Sequence, residues 1–406
     1  MITMRKHSLR ILFITLDDVS HHKGSSTHIR EKVGAFRRRG HRVLLLGGSS
    51  NNPDLEDFKS IGSFKRQDGG IGYFALLAVF VRLILQVLKK AKHADVIYVR
   101  EPLAAFAVVI VKLFHRKKII FEVNSLDNEE IRMKGDGFAV GLASNIMSLL
   151  QHVAAKFSDR IIVITDRVRE YYEDNYNIPG DRFTVLGVTT DLDKFHPADN
   201  PDRVRQCRSR LNTPDDACVV TFIGNMSHWQ DFQMLIKSVK IMNQKNRRIR
   251  FLIIGEGSQK DWLEQTLAQE DITDRVLVVG SIPHSEIADY INMSDICISL
   301  CKELVSGYSP MKLYEYFACG KPVVATRVSG YEIVERINAG RLIEANDAQG
   351  FSEAILSLAE NTELRTEYGG NALRFARENL GWDKVISKLE SVIEEVVPHA
   401  AGSPAE

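Results

Sequence analysis

The stretch SGYSPMKLYEYFACGKPVVATRVSGYEIVE, residues 306–335, decides how this chain is read. It opens on the polar turn Ser306-Gly307-Tyr308-Ser309-Pro310 and runs into a short helical pattern, Met311, Lys312 and Leu313 first and Glu315 about a turn on. Proline at the first helical position costs no intrahelical hydrogen bond, and the amides behind it have no carbonyl of their own to bond. Such a helix start holds an anion such as a diphosphate. Glu315 can accept hydrogen bonds from a pair of hydroxyls. Phosphate at a helix tip with a diol beside it describes a nucleotide, met here by Ser309, Pro310, Met311, Lys312, Leu313 and Glu315.

Outward from this stretch, short apolar runs alternate with longer helical patterns, the form of a parallel sheet covered by helices on both faces. The first half carries runs at 11–16, 42–47, 96–100, 118–123, 160–165 and 183–188, and the second at 218–224, 250–257, 275–282, 296–300, 321–326 and 340–345. Two such sets predict two α/β domains of Rossmann type, 1–192 and 193–380. The boundary is expected in residues 191–206, where apolar periodicity lapses and two prolines appear. Residues 381–398 read as a final helix and 399–406 as a disordered tail.

Composition narrows the function. The 406 residues are 44% hydrophobic and 26% charged, with a formal net charge of +1. That is globular, and it lacks the global positive field of a generic nucleic-acid binder. Five cysteines, Cys207, Cys218, Cys297, Cys301 and Cys319, show no CxxC pairing and no neighbouring histidines, so they read as reduced residues of a cytoplasmic protein. The run ILFITL at 11–16 is followed by Asp17-Asp18, which predicts a first strand and not a signal peptide. No P-loop, nucleophile elbow, full dinucleotide fingerprint or metal-ligand spacing stands out.

With those residues in place, the 306–335 stretch resembles the donor-site signature of the family-4 retaining glycosyltransferases of GT-B fold. Glu315, Ala318, Gly320, the KPVVAT strand, Gly330 and Glu332 fall in its places, while the first glutamate of the usual pair aligns with Gly307. Glu303, four residues earlier, is a candidate substitute. The linker GVTTDLDKFHP at 187–197, with Thr189 and Thr190 inserted, and the helix at 382–397 extend the resemblance over residues 10–397. It implies two facing Rossmann-like domains, with the last helix crossing back to the first.

The resemblance also assigns roles. Gly24 and Ser25, in the loop after the first strand, would approach the donor phosphate, and His28 the acceptor. Asn124, at the end of KIIFEV, would hold the sugar or orient the acceptor; the alternative is that this turn only caps a helix through Asp127 or Asn128. After Gly224 the family places arginine and then lysine, where this chain has Asn225 and Gln230; Lys312 would restore the missing charge unless it is a solvated helix lysine. Gly255 would shape a βα turn, and the backbone near Ile282 and Pro283 would meet the base. His228 and Trp229 would line the sugar pocket.

The expected function is a retaining, metal-independent transfer of a hexosyl group from a nucleoside-diphosphate sugar to a hydroxyl, in polysaccharide or glycolipid assembly. Catalytic roles would fall to Asn124 and Lys312, with no cofactor. The alternatives are a non-catalytic sugar-nucleotide binder and, third, an epimerase of the same fold. The segments 72–93 and 103–120 are strongly apolar and end in basic residues. They read either as buried Rossmann helices or, with Arg37 to Arg39, Lys89, Lys90 and Arg116 to Lys118, as a peripheral face for an anionic membrane and a lipid-linked acceptor.

Overall fold

β-Branched and apolar runs with no polar alternation must be covered on both faces, and strand β4 below, with all five residues buried, meets that requirement. The computed structural model describes residues 8–19, 24–48, 57–62, 73–132, 135, 137–214, 216–243, 248–309 and 311–397. The expected tail at 399–406, His21-His22 and Pro310 lie outside them.

The first unit runs β1 (Arg10–Ile14), α1 (Gly24–Arg38), β2 (Arg42–Gly47), β3 (Phe58–Ser60), α2 (Tyr73–Ala91), β4 (Val96–Arg100), α3 (Pro102–His115), β5 (Lys118–Val123), α4 (Asp127–Arg132), α5 (Phe138–Phe157), β6 (Arg160–Val163), α6 (Asp166–Tyr176) and β7 (Phe183–Val185). Its sheet is parallel, in the order β3-β2-β1-β4-β5-β6-β7. Register aligns Ile14 with Leu46 and Val99, and Arg100 with Glu122, so the ends of β1, β2, β4 and β5 form one edge. Strand β3 escaped the sequence reading because it is three residues long and largely exposed.

The second unit runs α7 (Pro201–Arg210), β8 (Cys218–Ile223), α8 (Phe232–Asn243), β9 (Ile249–Ile254), α9 (Lys260–Gln269), β10 (Val276–Gly280), α10 (Ile287–Asn292), β11 (Ile296–Ser299), α11 (Met311–Ala318), β12 (Val323–Thr326), α12 (Ile333–Arg336), β13 (Gly340–Ile343), α13 (Ala348–Glu360) and α14 (Thr362–Asn379). Its sheet order is β10-β9-β8-β11-β12-β13, again all parallel.

The compact units are Met1–Gly187 with Trp382–Glu406, and Val188–Gly381. The last helix, α15 (Trp382–Val396), belongs to the first unit for a physical reason. It buries Trp382, Ile386, Leu389, Val392 and Ile393 in one core with Ile29, Val33 and Phe36 of α1. Each such side chain contributes roughly 1.5–3 kcal/mol when removed from water. Glu390 adds pairs to Arg39 (2.6 Å) and His41 (2.7 Å), and Trp382 Nε1 donates to Glu31 Oε2 (3.2 Å).

Candidate functional site

Open α/β sheets bind ligands beyond the carboxyl ends of the strands, where the strand order reverses. In the second sheet that point lies between β8 and β11. Glycines close it: Gly224 N donates to Ile254 O (2.9 Å) and Gly255 N to Gly280 O (2.8 Å). A Cβ on Gly255, whose φ is +143°, would stand 1.9 Å from Gly224 O, so only glycine lets these turns approach.

Helix α11 brings Lys312 to this edge. Tyr316, one turn further on, is buried, and its hydroxyl accepts from Ile223 N (2.9 Å), pinning α11 to the end of β8. Lys312 Nζ lies 4.1 Å from the centroid of the Phe222 ring, and a Cβ on Gly224 would stand 3.1 Å from it. Burial pulls the ammonium pKa down, while Cys301 and Glu315 push it back up. Among the described residues no hydrogen bond or ion pair engages Lys312. Just before α11, Ser309 Oγ is buried and has no hydrogen-bond partner among them.

The other expected donor residues fall into place unevenly. Met311 and Glu315 are half-buried on the first two turns of α11, whereas Leu313 is core and can offer only its backbone. Asn225 is exposed, its Oδ1 accepting from Ser227 Oγ (2.8 Å). Gln230 is buried and bridged to Cys301, whose Sγ donates to its Oε1 (3.6 Å), so its side chain is engaged inside the protein. Ile282 packs on the core and Pro283 is exposed. His228 is exposed and stands edge-on to half-buried Trp229, ring centroids 5.1 Å apart.

Gly307 explains the missing glutamate locally. Its φ is +64°, and a Cβ there would meet Ser329 O and Oγ at 3.0 Å, so a longer side chain would strain this turn. Glu303 does not take its place freely: it is exposed, and its Oε1 accepts from Ser329 N (3.3 Å).

In the first sheet the reversal lies between β1 and β4. Beside it, Glu122 is buried against Lys32, Tyr98 Oη and Arg100, with Arg100 Nε 3.4 Å from its Oε1. The cations hold the Glu122 carboxyl down at about 2 against the opposing effect of burial. Asn124 belongs to this network. With its amide turned to satisfy both neighbours, Nδ2 donates to Glu122 Oε1 (2.9 Å) and Oδ1 accepts from Arg100 Nε (3.0 Å). Arg100 Nη1 is buried without a partner among the described residues.

The His28 ring lies tilted against Trp382 (4.8 Å between centroids), and burial, then Lys32, pushes its imidazole down to about 3. It is therefore neutral at physiological pH. Gly24 starts α1, and Ser26 Oγ ties this helix to Asp18 O (2.7 Å); the side chain of Ser25 is not among those described.

Of two carboxyls on this edge, one, Glu101, was missed and the other, Asp127, was read only as a helix cap. Glu101 follows β4 with φ +51°, accepting from Thr15 Oγ1 (2.7 Å) and Leu16 N (3.0 Å), and burial raises it to about 7. Asp127 opens α4, and burial followed by Glu130 raises it to about 7 as well. For Glu101 the available signal was a carboxylate directly after a strand end. Among the described residues no three His, Cys, Asp or Glu side chains gather as a metal-binding group.

Known proteins share this architecture. Residues 22–194 match the profile described as Glycosyltransferase Family 4, and residues 204–375 that of Glycosyl transferases group 1. A D-inositol 3-phosphate glycosyltransferase of Catenulispora acidiphila is 24% identical over 61% of this chain and 60% of its own length. The alpha-D-kanosaminyltransferase of Streptomyces kanamyceticus is 23% identical over 60% of this chain and 62% of its own. The chain thus spans about three fifths of the length of these curated relatives. Among solved structures, sucrose-phosphate synthase from Thermosynechococcus elongatus superposes with a TM-score of 0.76 at 19% identity, covering 95% of this chain and 98% of that one. HepE of Anabaena, in complex with UDP and glucose, gives 0.74 at 16% identity, covering 96% and 100%. With one profile on each half of the chain and a parallel α/β sheet in each unit, this chain belongs to the family-4, group 1 glycosyltransferases.

Proposed function

We propose that this chain transfers a hexosyl group from a nucleoside-diphosphate sugar, held by the second unit, to a hydroxyl of an acceptor held by the first. The anomeric configuration is retained and no metal is needed. One observation carries the reading. Lys312, which no hydrogen bond or ion pair engages among the described residues, and the Ser309 hydroxyl, unpartnered among them, stand at the glycine-lined end of β8 as an anion cradle. Glu315, a turn beyond Lys312, takes the ribose diol, and the α11 amides with Lys312 take the diphosphate.

The bond from the anomeric carbon to the diphosphate oxygen breaks as the acceptor oxygen bonds to the same face. The acceptor proton passes to the departing phosphate oxygen. Charge grows on the leaving group in this step, and Lys312 is the cation placed to stabilise it. On the first unit, Asn124 and neutral His28 offer hydrogen bonds to hydroxyls without a competing charge. We place the reaction in the cytoplasm, in the assembly of a polysaccharide or glycolipid.

The test is release of nucleoside diphosphate from a panel of donors with candidate acceptors, with and without a chelator, and the anomeric configuration of the product read by NMR. Turnover that disappears with the chelator, or an inverted product, overturns the mechanism. A second reading, a sugar-nucleotide binder without turnover, draws on the engaged Gln230, on Asn225 and on the turn at Gly307. Donor binding with no release under any acceptor would favour it.

A further inference from the structure

The helices over one face of the first sheet leave an apolar surface that the described residues do not cover. Helix α3 lies between α2 and α5 and packs against both. Its Ala104, Ala105, Val108 and Val111 are core, so the segment 103–120 is largely a buried Rossmann helix. Its neighbours differ. On α2, Val79, Leu83 and Val87 face the core, while Leu77 and Leu85 are each 61% exposed with Val81 between them. On α5, Phe138 is 89% and Leu149 63% exposed, with Leu142 and Ile146 on the same stripe. Single exposed apolar residues are ordinary; helical stripes on two helices of one layer mark an interaction surface.

Charge says what the surface meets. None of α2, α3 and α5 contains an aspartate or a glutamate, and their charged residues are Arg82, Lys89, Lys90, Lys156 and Lys112, the last paired with Asp159 (2.7 Å). Two copies joined through this face would bring like charges together, whereas an anionic lipid surface neutralises them. Helix α5 is long and apolar enough to cross a bilayer, but its inner face is tied into the fold. Ser144 Oγ donates to Asn128 O (3.0 Å) and accepts from Arg132 Nε (3.0 Å), and Tyr176 Oη donates to Gln151 Oε1 (3.3 Å). Crossing would strand these groups, so the helix lies on a surface.

We propose that the outer face of α2 and α5 docks on an anionic bilayer, with Phe138, Leu142, Ile146 and Leu149 in the boundary between headgroups and acyl chains. The α4 to α5 bonds join this face to the edge carrying Asn124 and Asp127. On the transferase reading above, on which this step rests, the acceptor is therefore lipid-borne and reaches that edge from the bilayer.

The test is sedimentation of the full chain with phosphatidylglycerol-containing and with pure phosphatidylcholine vesicles, at low and high salt. Binding should favour the anionic vesicles by about tenfold or more at low salt and weaken with salt. The variant Leu142→Glu/Ile146→Glu should lose about tenfold or more of that binding with an unchanged melting curve, since both residues are exposed. Leu77→Glu/Leu85→Glu should act in the same direction. Negligible pelleting with both lipids, wild-type binding by both variants, or a dimer that the same substitutions dissolve in the absence of vesicle binding would each overturn the proposal. Salt-sensitive vesicle binding without nucleotide release from any donor would leave the docking standing and remove the transferase reading alone.

Discussion

At the end of β5 in the first sheet, Glu122 is buried against Lys32, Tyr98 and Arg100; at the end of β8 in the second, Lys312 rests on the ring of Phe222 beside a glycine. The two edges share a parallel sheet and a strand-order reversal, yet one has matched its charges internally and the other leaves a cation for whatever arrives. An edge with matched charges presents neutral groups, Asn124 and His28, which suit hydroxyls. On the proposed reading, an edge with a cation at a helix start suits a diphosphate. The difference teaches that topology fixes where a ligand sits, and charge matching decides which kind.

The largest effect should separate the edges by what each lysine supports. Lys32 and Glu122 are each 2% exposed, and removing one partner of a buried pair leaves the other uncompensated. Lys32→Ala should lower unfolding stability by about 3–5 kcal/mol in a urea titration. A loss below about 1 kcal/mol would mean that Glu122 finds enough support in Arg100 alone, and the contrast between the edges would weaken.

Lys312→Ala should do the reverse, leaving the urea midpoint near wild type and lowering kcat by about 10²–10³, the scale for removing one group aimed at developing charge. Restoring the family's cation with Asn225→Arg should raise turnover by less than this, because Asn225 is exposed. Full turnover in Lys312→Ala would leave the diphosphate to the amides and Ser309.

Glu315 sharpens the donor side further. Glu315→Gln should weaken nucleotide binding by about 1.5–3 kcal/mol, the range for a hydrogen bond to a charged group, and calorimetric titration measures it directly. Unchanged affinity would remove Glu315 from the ribose.

Much of the second edge was legible because local sequence makes it. Gly224 and Gly255 directly follow strand ends, which apolar runs mark, and Lys312 sits in the first turn of a helix whose start is marked in the sequence by Ser309-Pro310. The bond between Cys301 and Gln230 could not be read from the sequence, since it joins segments far apart in the chain. The network around Asn124 was hidden for the same reason, its members coming from α1, β4 and β5. The stripe on α5 was overlooked because the stretch is not uniformly apolar. Only the hydrogen-bonded Ser144 and Gln151 on its inner side reveal that its apolar residues point outward.

The smallest effect concerns protons on the first edge. Glu101 and Asp127 both sit near 7, above ordinary values of 4.5 and 3.8, chiefly through burial. A carboxyl whose folded pKa lies above its unfolded one binds its proton more tightly when folded. Its contribution is therefore full below about pH 4 and is lost as pH rises through about 7. Glu122 has the opposite sign, its contribution present above about 4.5 and lost only as pH falls through about 2, so it does not intrude on that window. Both Glu101 and Asp127 are partly buried, and residual water screening leaves on the order of 1 kcal/mol for each. Urea unfolding should thus show stability declining between about pH 4 and pH 7, and Glu101→Gln/Asp127→Asn should flatten that decline. An identical slope in the double variant would mean that both carboxyls ionise normally, and the first edge would then carry unmatched negative charge, unlike the neutral surface contrasted above with the edge at Lys312.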